Sequence, residues 1–158
     1  MEESQATVSR WLKAASAHTG ATPSLSEDGH CHLLLDDDEQ CIVEVPPGSD
    51  SVFLYIAISR LPEQPDDAVQ AMKLAMALNT FGIETGGSVF SYDPRSDHIV
   101  LTLSKRVDLL DELQFCELLG GFIDSGVGVK AKFKQAIQEQ GATVSAQALS
   151  DMRTFMRA

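Results

Sequence analysis

At 158 residues the chain is long enough for one domain with a buried core and short for two independent ones. Hydrophobic residues make up 44% of it, which excludes disorder as the default reading, and 12 Lys and Arg against 23 Asp and Glu leave a net charge of −11. That balance excludes recognition of nucleic acid through a basic stripe, since basic residues gather only at Lys105-Arg106 and at Lys130, Lys132 and Lys134, and it favours basic or neutral polypeptide partners.

Ser4 can cap a first helix whose apolar positions, Val8, Trp11, Leu12 and Ala15, fall on one stripe, and Gly20 and Pro23 end it. Three short strands are predicted next, Cys31 to Leu35, Gln40 to Val45 and Val52 to Ile58. The turns between them, Asp36-Asp37-Asp38-Glu39 and Pro46-Pro47-Gly48-Ser49-Asp50, are short enough to imply an antiparallel meander. Leu61-Pro62-Glu63-Gln64-Pro65 then breaks the sheet. Pro65 suits the first position of a second helix, with Asp66 and Asp67 at its positive end and Gly82 as a stop after Phe81.

Two further strands, Ser88 to Tyr92 and His98 to Ser104, flank a turn at Asp93-Pro94-Arg95-Ser96-Asp97. Asp108 is the expected cap of a last long helix, with Asp111 at its third position and apolar residues at Leu109, Leu113, Cys116, Leu119, Phe122 and Ile123. Its extent reaches to about Gln140. Gly120, Gly121, Gly126 and Gly128 each cost a helix interior about 1 kcal/mol relative to alanine, so they leave a kink or break open there. The resulting division is one domain over 1–141 and a polar tail over 142–158 with room for a short helix around Gln147 to Met156. The order helix, three strands, helix, two strands, helix gives an α+β fold with helices packed on a twisted antiparallel sheet.

Two features carry more apolar surface than one subunit needs. Alternation along the first three strands puts Cys31, Leu33, Leu35, Cys41, Val43, Val45, Val52, Leu54, Ile56 and Ile58 on the core side. The opposite side reads His32, Leu34, Ile42, Glu44, Phe53, Tyr55 and Ala57, a mixture typical of protein-binding surfaces, unless a helix of the same chain covers it. The second helix carries one charge, Lys73, between Ala68 and Phe81, while Val69, Met72, Leu74, Met76, Leu78 and Phe81 spread around its axis. It needs two surfaces to bury against: its own sheet and either the rest of the monomer or the same helix of a second copy.

The early helix around Val8 to Ala15, Leu33-Leu34-Leu35-Asp36-Asp37 leading into Cys41-Ile42-Val43-Glu44-Val45, and Val52-Phe53-Leu54-Tyr55 ending at Leu61-Pro62-Glu63 resemble the class I type III secretion chaperones, the Tir-chaperone family. The likeness continues through Ala75-Met76-Ala77-Leu78-Asn79-Thr80-Phe81, Gly86-Gly87-Ser88-Val89-Phe90-Ser91-Tyr92-Asp93, Ile99-Val100-Leu101-Thr102-Leu103 and Phe115-Cys116-Glu117-Leu118-Leu119. It implies a cytoplasmic bacterial homodimer that binds the N-terminal non-globular segment of a secreted effector, with the secretion-apparatus ATPase as a further partner. It implies dimer contacts near Val69, Met72, Met76, Leu78, Phe90 and Tyr92, and effector contacts near Trp11, Leu34, Ile42, Phe53 and Tyr55. No catalysis, cofactor or nucleotide use is implied. The alternative is a small homodimeric scaffold or regulator of similar fold without a secreted client.

No motif of a catalytic or metal site competes with this reading. Three cysteines, Cys31, Cys41 and Cys116, all lie in apolar surroundings, and their odd number argues against a disulfide framework. Cys31 and His32 are adjacent and point to opposite sides of a strand, and no Cys-x-x-Cys pair exists. Asp36-Asp37-Asp38-Glu39 lacks the spacing of a calcium loop, and Gly121 to Lys130 lacks the glycine that a phosphate loop places before its lysine. Neither a signal peptide nor a run of about 20 apolar residues is present, so a soluble protein that stays where it is made is expected.

Overall fold

The computed structural model describes residues 3–16, 22–35, 39–80 and 85–155, with side chains described as far as Glu139. Helix α1 (Glu3–Ala15) is followed by strands β1 (His30–Leu34), β2 (Gln40–Glu44) and β3 (Ser51–Arg60). Helix α2 (Pro65–Leu78), strands β4 (Val89–Asp93) and β5 (His98–Arg106), a 3-10 turn over Val107–Leu109 and helix α3 (Glu112–Phe155) complete the order. This is the α+β arrangement the hydrophobic pattern predicts. The turn at Asp36-Asp37-Asp38 and the helix stops at Gly20 and Phe81-Gly82 lie outside the described residues.

All pairings are antiparallel and the sheet order is β1-β2-β3-β5-β4, so β5 inserts between β3 and β4. Register aligns Cys41, Ile56, Leu101 and Phe90 in one row and Cys31, Val43, Leu54 and Leu103 in the next. All but Leu103 are buried, and they form one side of the core. Leu33 and Leu35, expected in the same set, are only partly buried because they sit where the sheet ends.

Helix α3 lies against this side of the sheet, with Phe115, Leu119, Phe122, Val129 and Phe133 turned inward. At Gly126 it comes so close to β3 that an added Cβ would stand 2.6 Å from Ile56 Cδ1. The glycines therefore do not break the helix: it runs unbroken through all four positions and on past Gln147 to Phe155. Its start corrects the sequence reading. Asp111, not Asp108, is the cap: its carboxylate accepts the Gln114 N–H at 2.8 Å, and Gln114 Oε1 accepts the Asp111 N–H at 2.9 Å, a reciprocal capping box. Asp108 is instead held in the 3-10 turn by Arg106, whose Nη2 donates to its carboxylate at 2.6 Å.

α1 packs beside α3 through Trp11 and Phe115, whose rings are 5.5 Å apart. It is tied to the sheet where Gln5 Nε2 donates to the Val45 carbonyl at 3.0 Å. That contact needs Gly29, at φ 82°, because a Cβ there would collide with the Val45 oxygen. Ser4, the expected cap, lies inside the first turn of α1.

α2 meets the rest of the chain through Ala71 and Ala75, its only buried residues, with Leu74 and Leu78 partly buried against the core. Asn79, just past its end, donates from Nδ2 to the Phe90 carbonyl at 3.2 Å and accepts the Phe90 N–H at 2.7 Å. Thr85 Oγ1 donates to the Ser88 carbonyl, and Ser88 N–H donates to the Thr85 carbonyl. The outer edge of β4 is thus occupied at two successive outward-facing positions.

Gly126→Leu is expected to lose about 1–3 kcal/mol by overpacking against Ile56. Gly128→Ala, where an added Cβ meets nothing within 4 Å, is expected to gain about 1 kcal/mol. Urea denaturation midpoints of the two variants check both signs.

Candidate functional site

Among the described residues β1 is an edge strand, bonded to β2 alone. Its first residue, His30, has its outward backbone satisfied: its carbonyl accepts from Ser26 N–H at 2.7 Å and its N–H donates to Ser26 Oγ at 3.2 Å. By the two-residue alternation of a strand, the backbone groups of His32 and Leu34 face the same way, onto an open edge. Beside that edge runs a groove of about 630 Å³, walled by Leu33, Leu35 and Ala15 on one side and by Cys116, Leu119 and Ile123 of α3 on the other. Leu34 stands at its rim, 77% exposed.

The opposite side of the sheet carries no helix among the described residues. Ile42, Phe53, Tyr55 and Val100 are half-buried there only by one another and by their neighbours. A shallow basin of about 340 Å³ has Ile42, Tyr55, Ala57 and Val100 as its floor and Glu39, Asp93, His98 and Lys130 around it. Tyr55 Oη donates to Glu44 Oε2 at 2.7 Å, while Glu44 Oε1 lies 3.2 Å from His30 Nε2. Burial, and after it the bond to Glu44, push the Tyr55 phenol up, so it stays a neutral donor. Lys130 Nζ reaches Glu39 Oε1 at 3.0 Å and joins α3 to the base of β2.

The third surface is the outward side of α2, where Val69, Met72 and Met76 are exposed, Met76 by 70%. Val89 and Tyr92 of β4 are exposed too.

A free strand edge beside an apolar groove is equipment for binding a polypeptide. Residues 11–129 match the Tir chaperone protein (CesT) family. The chain belongs to that family. No curated protein sequence matches it closely enough to add to this.

Solved structures extend the likeness of this CesT-family chain to the fold. A chain of the ExsC–ExsE complex superposes with TM-score 0.66 at 14% identity, covering 87% of this chain and 97% of that one. A chain of the HopA1–SchA chaperone–effector complex gives 0.65 at 11% identity, covering 85% and 98%. A chain of the ExoT–SpcS complex of Pseudomonas aeruginosa gives 0.58 at 18% identity, covering 81% and 98%.

The structure separates the residues named from the sequence into surface and support. Leu34, Ile42, Phe53 and Tyr55 stand on the open edge and open side of the sheet, whereas Trp11 is 6% exposed and stacks in the core beneath them. Val69, Met72, Met76 and Tyr92 face outward, while Leu78 is half-buried and Phe90 lies in the core against Phe133, their rings 5.6 Å apart. The groove itself was missed. Its wall residues read as plain core, and only knowledge that β1 has no outer neighbour distinguishes them.

Burial pushes the Cys41 thiol up to about 12, with neighbouring Cys31 adding to it, and burial raises Cys31 as well. Cys116, raised by partial burial and by Glu112, lines the groove. Limited treatment of the folded protein with a small maleimide is expected to label Cys116 first and to leave Cys31 and Cys41 unmodified until denaturant is added. Peptide mass mapping checks the order.

Proposed function

We propose that this chain is a type III secretion chaperone of the bacterial cytoplasm, acting as a homodimer that holds the N-terminal non-globular segment of one or more secreted effectors extended and ready for export. The observation that carries the reading is the apolar groove along the unpaired edge of β1, in a chain that belongs to the Tir chaperone protein family. An extended client segment would add as a strand outside β1, with backbone bonds to His32 and Leu34 and alternate side chains in the groove. Leu34, Ile42, Phe53 and Tyr55 would carry the client onward over the sheet. The likeness to a chain of the HopA1–SchA chaperone–effector complex supports a client of this class.

The same reading assigns the outward side of α2 to the second copy. Val69, Met72 and Met76, continued by Tyr92, give an apolar patch suited to a two-fold contact. Docking of the loaded dimer at the secretion-apparatus ATPase completes the proposed set of partners. No helix among the described residues is long and apolar enough to cross a membrane.

Met76→Glu is expected to weaken the dimer by about 2 kcal/mol or more, by placing a charge in the contact. Light scattering over a concentration series checks this. Phe53→Glu and Tyr55→Glu should leave the dimer intact and abolish recovery of secreted proteins, through their N-terminal regions, from native cytosol. If those two variants instead dissociate the dimer, the chain is a self-assembling scaffold and the client reading fails.

A further inference from the structure

α3 is longer than the sheet it covers. It crosses from β1 to β4: Leu119 and Ile123 stand by Leu33 and Leu35, Gly126 lies over Ile56, and the Phe133 ring meets Phe90. On the far side Val129 and Lys132 share a small cavity with Leu78 at the end of α2. Ile137 is the last residue packed against the core among the described side chains, yet the helix continues to Phe155. Residues 138–155 carry its axis about 27 Å further. They leave the sheet on the flank where Val69, Met72 and Met76 of α2 are exposed.

Three observations say what meets this arm. The spacing of the inward stripe of α3 does not stop with the core. It runs on in the sequence from Ile137 through Gly141, Val144, Ala148, Met152 and Phe155, at steps of four, three, four, four and three residues. Charge changes along the same stretch. Five of the 12 basic residues but only two of the 23 acidic ones lie from Val129 onward, so a chain of net charge −11 has one positive end. The rest of the chain is its electrostatic complement, and Asp66 and Asp67 are exposed at the start of α2. Area is the third. One face of α2, 14 residues and about 21 Å long, covers about 200 Å², a quarter of the roughly 800 Å² per partner in a stable interface. A two-fold contact through α2 alone is small.

We propose that residues 138–155 of each α3 form an arm that crosses the two-fold contact and packs its apolar stripe on the α2 and β4 flank of a second copy. This rests on the homodimer reading above and adds to it the element that holds the two copies together. Arg153 and Arg157 bring positive charge to an acidic body. Each copy gives one arm and receives one, which adds about 540 Å² per partner and brings the contact close to the size of a stable interface.

The test uses the full chain. In sedimentation equilibrium, Val144→Asp, Phe155→Asp and the double variant Arg153→Glu with Arg157→Glu should each raise the dimer dissociation constant at least about tenfold. Gln147→Ala, off the stripe, should leave it unchanged. A benzoylphenylalanine photo-crosslinker placed at residue 152 should give an adduct of two-chain mass, whose peptide map joins it to the stretch 65–93. An adduct within one chain overturns the inference, as do arm variants that dissociate no more readily than the unaltered chain. If Met76→Glu still dissociates while those variants do not, the homodimer stands and the arm alone is removed. An unaltered chain that is monomeric at every concentration removes both. Arm variants that stay dimeric but no longer recover a secreted client also overturn it, by assigning the arm to the client.

Discussion

The contact between Gly126 and Ile56 sets the rest of the structure. A helix that must lie this close to the middle strand of a five-stranded sheet covers one side of that sheet and no more. α1 and α2 fill the space on either flank of α3, through Trp11 and through Ala71 and Ala75. With all three helices on one side, the other side and the β1 edge carry no further helix or strand among the described residues. Ile42, Phe53, Tyr55 and Val100 stay half-exposed for that reason, and the groove beside Leu33 and Leu35 stays open.

Much of this was legible from the residues. Alternation along β1 to β3 separates the buried row from the half-exposed one because the period of a strand is fixed at two, and the burial of Cys41, Val43, Val52, Leu54 and Ile56 follows it. Beyond its first turn α2 has Lys73 as its one charge, and this likewise announces a helix with more apolar surface than Ala71 and Ala75 bury. What local pattern does not contain is neighbour order. That β5 lies beside β3 and leaves β1 at an edge is decided by long-range pairing, so the groove residues looked like ordinary core.

α3 shows the same limit differently. Asp108 and Asp111 are both good caps, and the choice between them is made by Arg106, which holds Asp108 in a turn, and by Gln114, which completes the box with Asp111. Propensity also counts the four glycines as equals. The fold gives Gly126 a steric reason and gives Gly120 none, a distinction that requires the position of Ile56. Finally, Leu113, Cys116, Leu119, Phe122 and Ile123 form one apolar set in sequence but two faces in space. The inward face is fixed by the sheet and the outward one by solvent.

The treatment of the two sheet edges has a consequence for solubility. Side chains and a turn occupy the outer edge of β4 at Ser88 and Phe90, while β1 remains unpaired beyond His30. A filament built strand to strand needs every copy to offer a donor edge at one end and an acceptor edge at the other, so that addition never closes. Here the second edge is occupied over its first half, at Ser88 and Phe90, which hinders growth by that route once the open one is filled. One sticky strand edge can thus stay available in a crowded solution without making the molecule the seed of its own aggregate.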